Sequence, residues 1–246
     1  MAEIAFIDGP RGDRLAYAYT GGDGPCVVFL SGYRSDMEGT KAVHLEAWAE
    51  ARGRAFLRLD YAGHGQSGGI FELGCIGDWA ADAEAVIRHV CTGPVVLVGS
   101  SMGGWIASIL ARRLKSVAGF VGIAAAPDFT EDGFWASFSY EQRRQVMEDG
   151  QVLLPSAYED PYVVTRKLIE DGRRNLVLRA SLRMNWPVRL LQGTEDEAVT
   201  RATALTLLDH IEGPDVSLTL VKGADHRFST PDCLALVEKA IIEVGG

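Results

Sequence analysis

Basic charge is scarce in this 246-residue chain: 24 lysines and arginines stand against 33 acidic residues, giving a formal net charge of −9. A nucleic-acid binder needs a basic stripe to meet phosphates, and a protein docking on anionic lipid needs a basic patch, so both classes are disfavoured. Cysteine is also sparse. Cys26, Cys75, Cys91 and Cys233 are scattered, with no C-x-x-C pair and no metal-ligand spacing, which predicts free, packed thiols. The longest apolar stretch, 117–127, is too short and too interrupted by glycine to span a bilayer. Neither a basic stretch followed by an apolar one nor an Arg- and Ser-rich leader opens the chain, so the expected compartment is the cytoplasm. Hydrophobic residues make up 47% and charged residues 23%, ordinary values for a folded protein with a full core.

Short β-branched runs alternate with longer amphipathic ones. Strands are expected at 4–8, 14–19, 26–30, 55–59, 95–98, 117–124, 188–191 and 216–221. Helices are expected at about 40–52, 76–90, 102–114, 198–211 and 231–244. Such alternation predicts an α/β protein with a mostly parallel sheet flanked by helices. The rhythm breaks at 128–185, where charge and aromatics rise and helical periodicity shows near 134–147 and 162–172. This segment reads as a small helical cap inserted into a core made of 1–127 and 186–246. An insertion at the carboxyl edge of a parallel sheet lies over the place where such sheets bind ligands.

Two segments match G-x-S-x-G. Gly65-Gln-Ser67-Gly-Gly69 follows Asp60-Tyr-Ala-Gly-His64 and opens no helix. Gly99-Ser-Ser101-Met-Gly103 sits between a buried strand and a helix, the strand–turn–helix setting that a nucleophile elbow requires. Ser101 is therefore the candidate nucleophile, Ser67 a loop residue and Ser100 a packing residue. A serine hydroxyl needs a base to take its proton. His44, His89 and His210 fall in helical stretches and His64 precedes the elbow. His226 alone lies late in the chain on a loop after a strand, as the order nucleophile, acid, histidine demands. The acid belongs after another strand end. Glu195, Asp196 and Glu197 compete there, and Asp196 is preferred for its place in Gly-x-x-Asp-x-x-Val. Asp225, beside His226, reads as a turn residue. Two backbone N–H groups for an oxyanion are expected from Met102, after the nucleophile, and from Tyr33, in the loop after the third strand.

With these residues the chain resembles the serine α/β-hydrolase family over nearly its whole length. Leu30-Ser-Gly-Tyr-Arg-Ser-Asp-Met-Glu-Gly-Thr-Lys-Ala42 and Gly99-Ser-Ser-Met-Gly-Gly-Trp105 are similar to the mitochondrial palmitoyl-protein thioesterase branch, whose members are also described as acyl-glucuronide esterases. Arg58-Leu-Asp-Tyr-Ala-Gly63 and Leu154-Pro-Ser-Ala-Tyr158 fit the same branch. The resemblance implies a Ser101–Asp196–His226 triad that cleaves a small-molecule or acyl ester or thioester without a cofactor, and no metal site is expected. Serine peptidase or lactonase chemistry shares that triad, because it does not fix the leaving group. A protein acting by binding alone has no need of all three residues. Phe134, Trp135 and Phe138, on one helical face of the cap, and Trp105, after the elbow, are candidates to line an acyl groove or to anchor the cap. Arg34 reads as a solvated loop residue.

Overall fold

The computed structural model describes residues 2–154 and 162–246. The body begins with β1 (Ile4–Asp8), β2 (Arg14–Thr20), β3 (Asp23–Leu30), α1 (Thr40–Ala51), β4 (Arg54–Leu59), α2 (Ile76–Val90), β5 (Val95–Ser100), α3 (Met102–Arg113) and β6 (Val117–Ile123). Between β6 and the next body strand come a π-helical turn (Phe129–Trp135), α4 (Tyr140–Glu148), β7 (Gln151–Leu154), β8 (Tyr162–Thr165), α5 (Arg166–Arg174) and β9 (Leu182–Arg183). The body then resumes with β10 (Val188–Gly193), α6 (Arg201–His210), β11 (Ile211–Glu212), β12 (Val216–Val221) and α7 (Pro231–Gly245).

One eight-stranded sheet has the order β1-β2-β4-β3-β5-β6-β10-β12. The pairings β1–β2 and β2–β4 are antiparallel and those from β4 to β12 are parallel. The body is thus an α/β sheet of the expected class. The period-2 geometry of a strand sends alternate side chains to opposite faces, and the apolar residues separate accordingly. Val28 and Leu30 of β3, with Val95 and Leu97 of β5, pack with Trp79 of α2 and Ile106 of α3. Val27 and Phe29, with Val96 and Val98, pack on the other face with Leu45 and Trp48 of α1 and Val237 and Ile241 of α7. Burial on both faces is why these strands read as continuous apolar runs. From β3 the chain crosses to β4 on one side, and β5 pairs on the other, so a crevice opens at the carboxyl ends of β3 and β5.

The inserted stretch is less helical than its periodicity predicts. Tyr162–Thr165 is a strand paired antiparallel with Gln151–Leu154, and its Val163-Val164-Thr165 run suits the pleat. Only after Thr165, whose hydroxyl accepts from the Leu168 N–H, does α5 begin. Likewise 134–147 is not one helix: the π-helical turn ends and α4 restarts at a Ser139/Gln142 capping box. Of the 154–158 stretch that carries part of the resemblance, all but Leu154 lies outside the described residues.

Asp128 fastens this insertion at its base. It adopts a left-handed backbone (φ 57°) and is fully buried. Its carboxylate accepts the N–H groups of Val177 and Leu178 at 2.8 and 2.9 Å, so the first and last parts of the insertion meet on one side chain. Burial raises the Asp128 carboxyl above its ordinary range, more than those N–H bonds lower it. Replacing Asp128 by alanine orphans two buried N–H donors and is expected to cost about 2–4 kcal/mol. Urea unfolding with a lowered midpoint and an unchanged slope checks this; an unchanged midpoint rejects it.

Candidate active site

The carboxyl end of β5 turns sharply into α3 at Ser101, whose backbone lies at φ 53° and ψ −120°. A non-glycine residue holds such a conformation only where its surroundings enforce it. Here the Ser101 N–H donates to the Ile123 carbonyl, and the Ser101 carbonyl accepts from the Ala126 and Gly104 N–H groups. The flanking glycines supply the space. A Cβ at Gly103 would overlap the Leu30 carbonyl oxygen, one at Gly99 the Gly103 oxygen, and one at Gly104 would come within 2.5 Å of the Ala125 Cβ.

The structure brings the serine, histidine and aspartate expected from the sequence into one hydrogen-bonded line. Ser101 Oγ lies 3.1 Å from His226 Nε2, and His226 Nδ1 lies 2.9 Å from Asp196 Oδ2. With the carboxylate as acceptor, Nδ1 carries the proton and Nε2 is left as the acceptor for the serine hydroxyl. The Asp196 side chain is fully buried and that of His226 is one-third exposed. Asp196 Oδ1 takes the Ala198 and Val199 N–H groups at 2.9 and 2.8 Å, and Gln192 Nε2 donates to Oδ2 at 2.9 Å. Burial alone would raise this carboxyl. The hydrogen bonds from His226, the Val199 N–H and the Gln192 amide outweigh burial and hold it below the ordinary carboxylate range. These N–H bonds occupy 198 and 199, which is why α6 starts at Arg201 behind a Thr200 cap rather than at 198.

The competing acids sit elsewhere. Glu195 and Glu197 are exposed, and Asp225 Oδ1 accepts the Phe228 N–H at 3.2 Å as a turn residue does. His44 meets Glu238 at 2.6 Å, His89 packs edge-on against Tyr17, and His210 Nδ1 bonds the Thr206 carbonyl. Ser67 is consumed structurally. Its hydroxyl donates to the Asp60 carbonyl at 2.7 Å and accepts the Ala16 N–H at 2.8 Å.

Beside the serine, the loop after β3 forms a turn closed by the Ser35 N–H on the Gly32 carbonyl, with Arg34 at φ 55°. A Cβ on Gly32 would stand 3.3 Å from Ser101 Cβ, so this loop abuts the nucleophile candidate. Met102 opens α3, and the first N–H groups of a helix have no partner within it. Further residues brace this arrangement, and their roles were not evident from spacing. Arg58 bonds Glu46 and donates to the Met37 carbonyl at 3.0 Å, while Asp60 accepts the Met37 N–H at 2.7 Å. Lys41 Nζ donates to the Arg227 carbonyl at 2.5 Å, directly after His226. A charged or amide residue at a buried position of a mainly apolar strand, as at Arg58 and Gln192, is the signal that marks such residues.

Of the four aromatic candidates, Trp105 is fully buried and its Nε1 donates to the Asn175 carbonyl at 2.9 Å, joining α3 to the insertion. Phe138 is buried against Phe134 and Trp135. Trp135 is half-buried with Arg143 and Arg173 over its ring, and Phe134 packs on Phe129 and Tyr33. Among the described residues no cluster of three His, Cys, Asp or Glu side chains is arranged to hold a metal, and all four cysteines are free.

Residues 27–238 match the family model described as the alpha/beta hydrolase family. The mitochondrial palmitoyl-protein thioesterase ABHD10 of Rattus norvegicus is 35% identical over 229 residues, covering 92% of this chain and 76% of that protein. Among solved structures, a protein of Agrobacterium vitis S4 superposes with a TM-score of 0.96 at 37% identity, covering all of both chains. Alpha/beta hydrolase domain-containing protein 10 from mouse superposes with a TM-score of 0.90 at 31% identity over 98% of each chain.

His64, directly before Gly65 in the loop after β4, yields a prediction for acid. It is buried, its Nδ1 donates to the Ala62 carbonyl at 3.3 Å, and its Nε2 has no partner among the described residues. Burial drives its pKa down to about 4. The native protein therefore refuses a proton that the unfolded chain takes up near pH 6.5. Stability is complete above that pH and falls as pH drops toward about 4, by about 3 kcal/mol in all from this group. Urea unfolding between pH 7 and 4 should show a shallower decline in His64→Phe than in the wild type; parallel declines would reject the assignment.

Proposed function

Because the chain belongs to the alpha/beta hydrolase family, we propose that this hydrolase cleaves carboxylic esters or thioesters with Ser101 as nucleophile, His226 as base and Asp196 as orienting acid. The observation that carries this reading is the continuous line from Ser101 Oγ through the imidazole to the buried Asp196 carboxylate, starting from a serine at positive φ. The similarity to proteins named as palmitoyl-protein thioesterases supports the acyl-transfer class.

In this mechanism Ser101 Oγ attacks the acyl carbonyl carbon while His226 Nε2 takes its proton. Asp196 holds Nδ1–H and stabilises the imidazolium without itself becoming protonated. The carbonyl oxygen gains the negative charge, and the N–H groups of Met102 and Tyr33 receive it; losing one such donor costs about 2.7–4 kcal/mol of barrier. The imidazolium then protonates the departing alcohol or thiol. Water repeats the sequence on the acyl-enzyme and releases the acid. The positive end of the α3 dipole points at the developing charge.

The insertion 128–185 serves in this reading as a cap over the crevice and as the source of substrate selectivity. The cytoplasm, a reducing compartment suited to four unpaired cysteines, is the proposed setting. No helix of the described residues is long and apolar enough to cross a membrane.

The experiment is a series of initial rates on p-nitrophenyl esters from acetyl to palmitoyl, with Ser101→Ala as control. Wild-type turnover should vanish in Ser101→Ala, at least 10³-fold down, with unchanged circular dichroism. Turnover retained by that variant would remove Ser101 from the mechanism. A groove that encloses the acyl chain adds about 0.8 kcal/mol per methylene, or about fourfold in kcat/KM. A flat series would mean that the chain stays in solvent.

A further inference from the structure

Tyr33 has two attachments that point in opposite directions. Its main chain belongs to the turn pressed against Ser101. Its side chain leaves the body and enters the insertion, where the phenol donates to the Val163 carbonyl of β8 at 3.0 Å. Around it stand five rings: Phe71 at 4.9 Å and Trp79 at 6.1 Å from the body, and Phe129 at 5.7 Å, Phe134 at 6.1 Å and Tyr162 at 5.9 Å from the insertion. Four of these contacts are edge-to-face, an arrangement that fixes ring orientation as well as position. Burial pushes the phenol well above its ordinary range, so it remains a protonated donor.

Backbone strain sits next to this anchor. Arg34, immediately after Tyr33, is a non-glycine residue at φ 55°. A turn holding a side chain in the left-handed region relaxes unless something outside the turn opposes it. The body holds the loop at Ser31 through the Tyr61 phenol, at Arg34 through the Phe71 ring and at Met37 through Arg58 and Asp60. At Tyr33 itself, the phenolic bond reaches only the insertion.

We infer that Tyr33 is a positioning residue through which the insertion aims the oxyanion-binding N–H, so that insertion contacts are read in the rate of chemistry rather than in substrate binding alone. This rests on the proposed hydrolase mechanism. A displacement of β8 would pass through the phenol to the loop. A donor misaligned by a fraction of an ångström stabilises the transition state less, while the ground-state carbonyl, which carries less charge, is affected less.

The test is Tyr33→Phe, which deletes the phenolic oxygen and keeps the ring, assayed on p-nitrophenyl acetate and p-nitrophenyl octanoate. Labelling by a fluorophosphonate counts competent Ser101. The expected result is a fall in kcat of about fivefold on both esters, the worth of one neutral hydrogen bond, with KM within about twofold and full final labelling. Phe134→Leu, which trims a ring on the insertion side only, should lower kcat in the same direction. It provides the answer if Tyr33→Phe folds poorly. Unchanged kcat in the folded variants, or a change confined to KM on the longer ester, would overturn the proposal and make Tyr33 a wall of the acyl path. If Ser101→Ala is dead in the same assays, that failure belongs to Tyr33 alone. Turnover in Ser101→Ala would overturn the hydrolase reading, and this proposal with it.

Discussion

Ser101 can occupy its unusual backbone conformation because three neighbouring residues have no side chain. With Gly99, Gly103 and Gly104 in place, α3 settles directly against the end of β3 and the loop leading to Ala125. That close approach sets the distance between Ser101 and the turn at Gly32 and Tyr33. It also presents the first turn of α3, at Met102, to the crevice at the carboxyl ends of β3 and β5. The remaining parts of the site are arranged around this contact. The loops after β10 and β12 bring acid and histidine from the sheet's other half, held together by the Thr194 and Glu195 N–H bonds to the Val221 and Ala224 carbonyls.

Polar groups buried beneath the loops convert this geometry into a fixed one. Arg58 holds the Met37 carbonyl and Asp60 the Met37 N–H, and Glu46 neutralises Arg58 in a pair that is almost wholly out of solvent. A buried pair of this kind adds little net stability over an apolar substitute, yet losing one partner is costly because the other charge remains. Its value here is directional. The same logic applies to Asp60, which also takes the Gln66 N–H and so ties the loop around Ser67 to the loop after β3. Burial raises the Asp60 carboxyl in spite of those N–H bonds.

Much of this was legible in the chain itself. The sheet and its helices could be read from apolar runs that are buried on both faces, with boundaries differing by a few residues where caps and the Asp196 loop intervene. The choice between two G-x-S-x-G matches turned on whether a helix opens directly after the serine, and the structural employment of Ser67 accounts for the second match. Chain order singled out His226, and the exposure of Glu195 and Glu197 leaves Asp196 as its partner. The insertion was harder to read. A Val163-Val164-Thr165 run followed by a strongly amphipathic helix merges into one helical-looking stretch, and the strand character of 162–165 depends on its partner strand at 151–154. Long-range clamps such as Lys41 on Arg227 and Asp128 on Val177 leave no periodic trace, because they join positions distant in sequence.

Asp128 also bears on how such a protein diversifies. Since one carboxylate gathers both feet of the insertion, the chain between them begins and ends at nearly the same point in space, as a surface loop does. Lengthening a loop whose ends are already joined adds little entropic cost, about 0.6 kcal/mol for each doubling. Changes of length in its surface turns are therefore cheap, whereas its buried side chains, Val164, Leu168 and Ile169 among them, share one apolar cluster with the sheet and are not free to change. Variation in length is thus best tolerated at the exposed turns between these buried anchors, where a longer segment leaves the two joined feet in place.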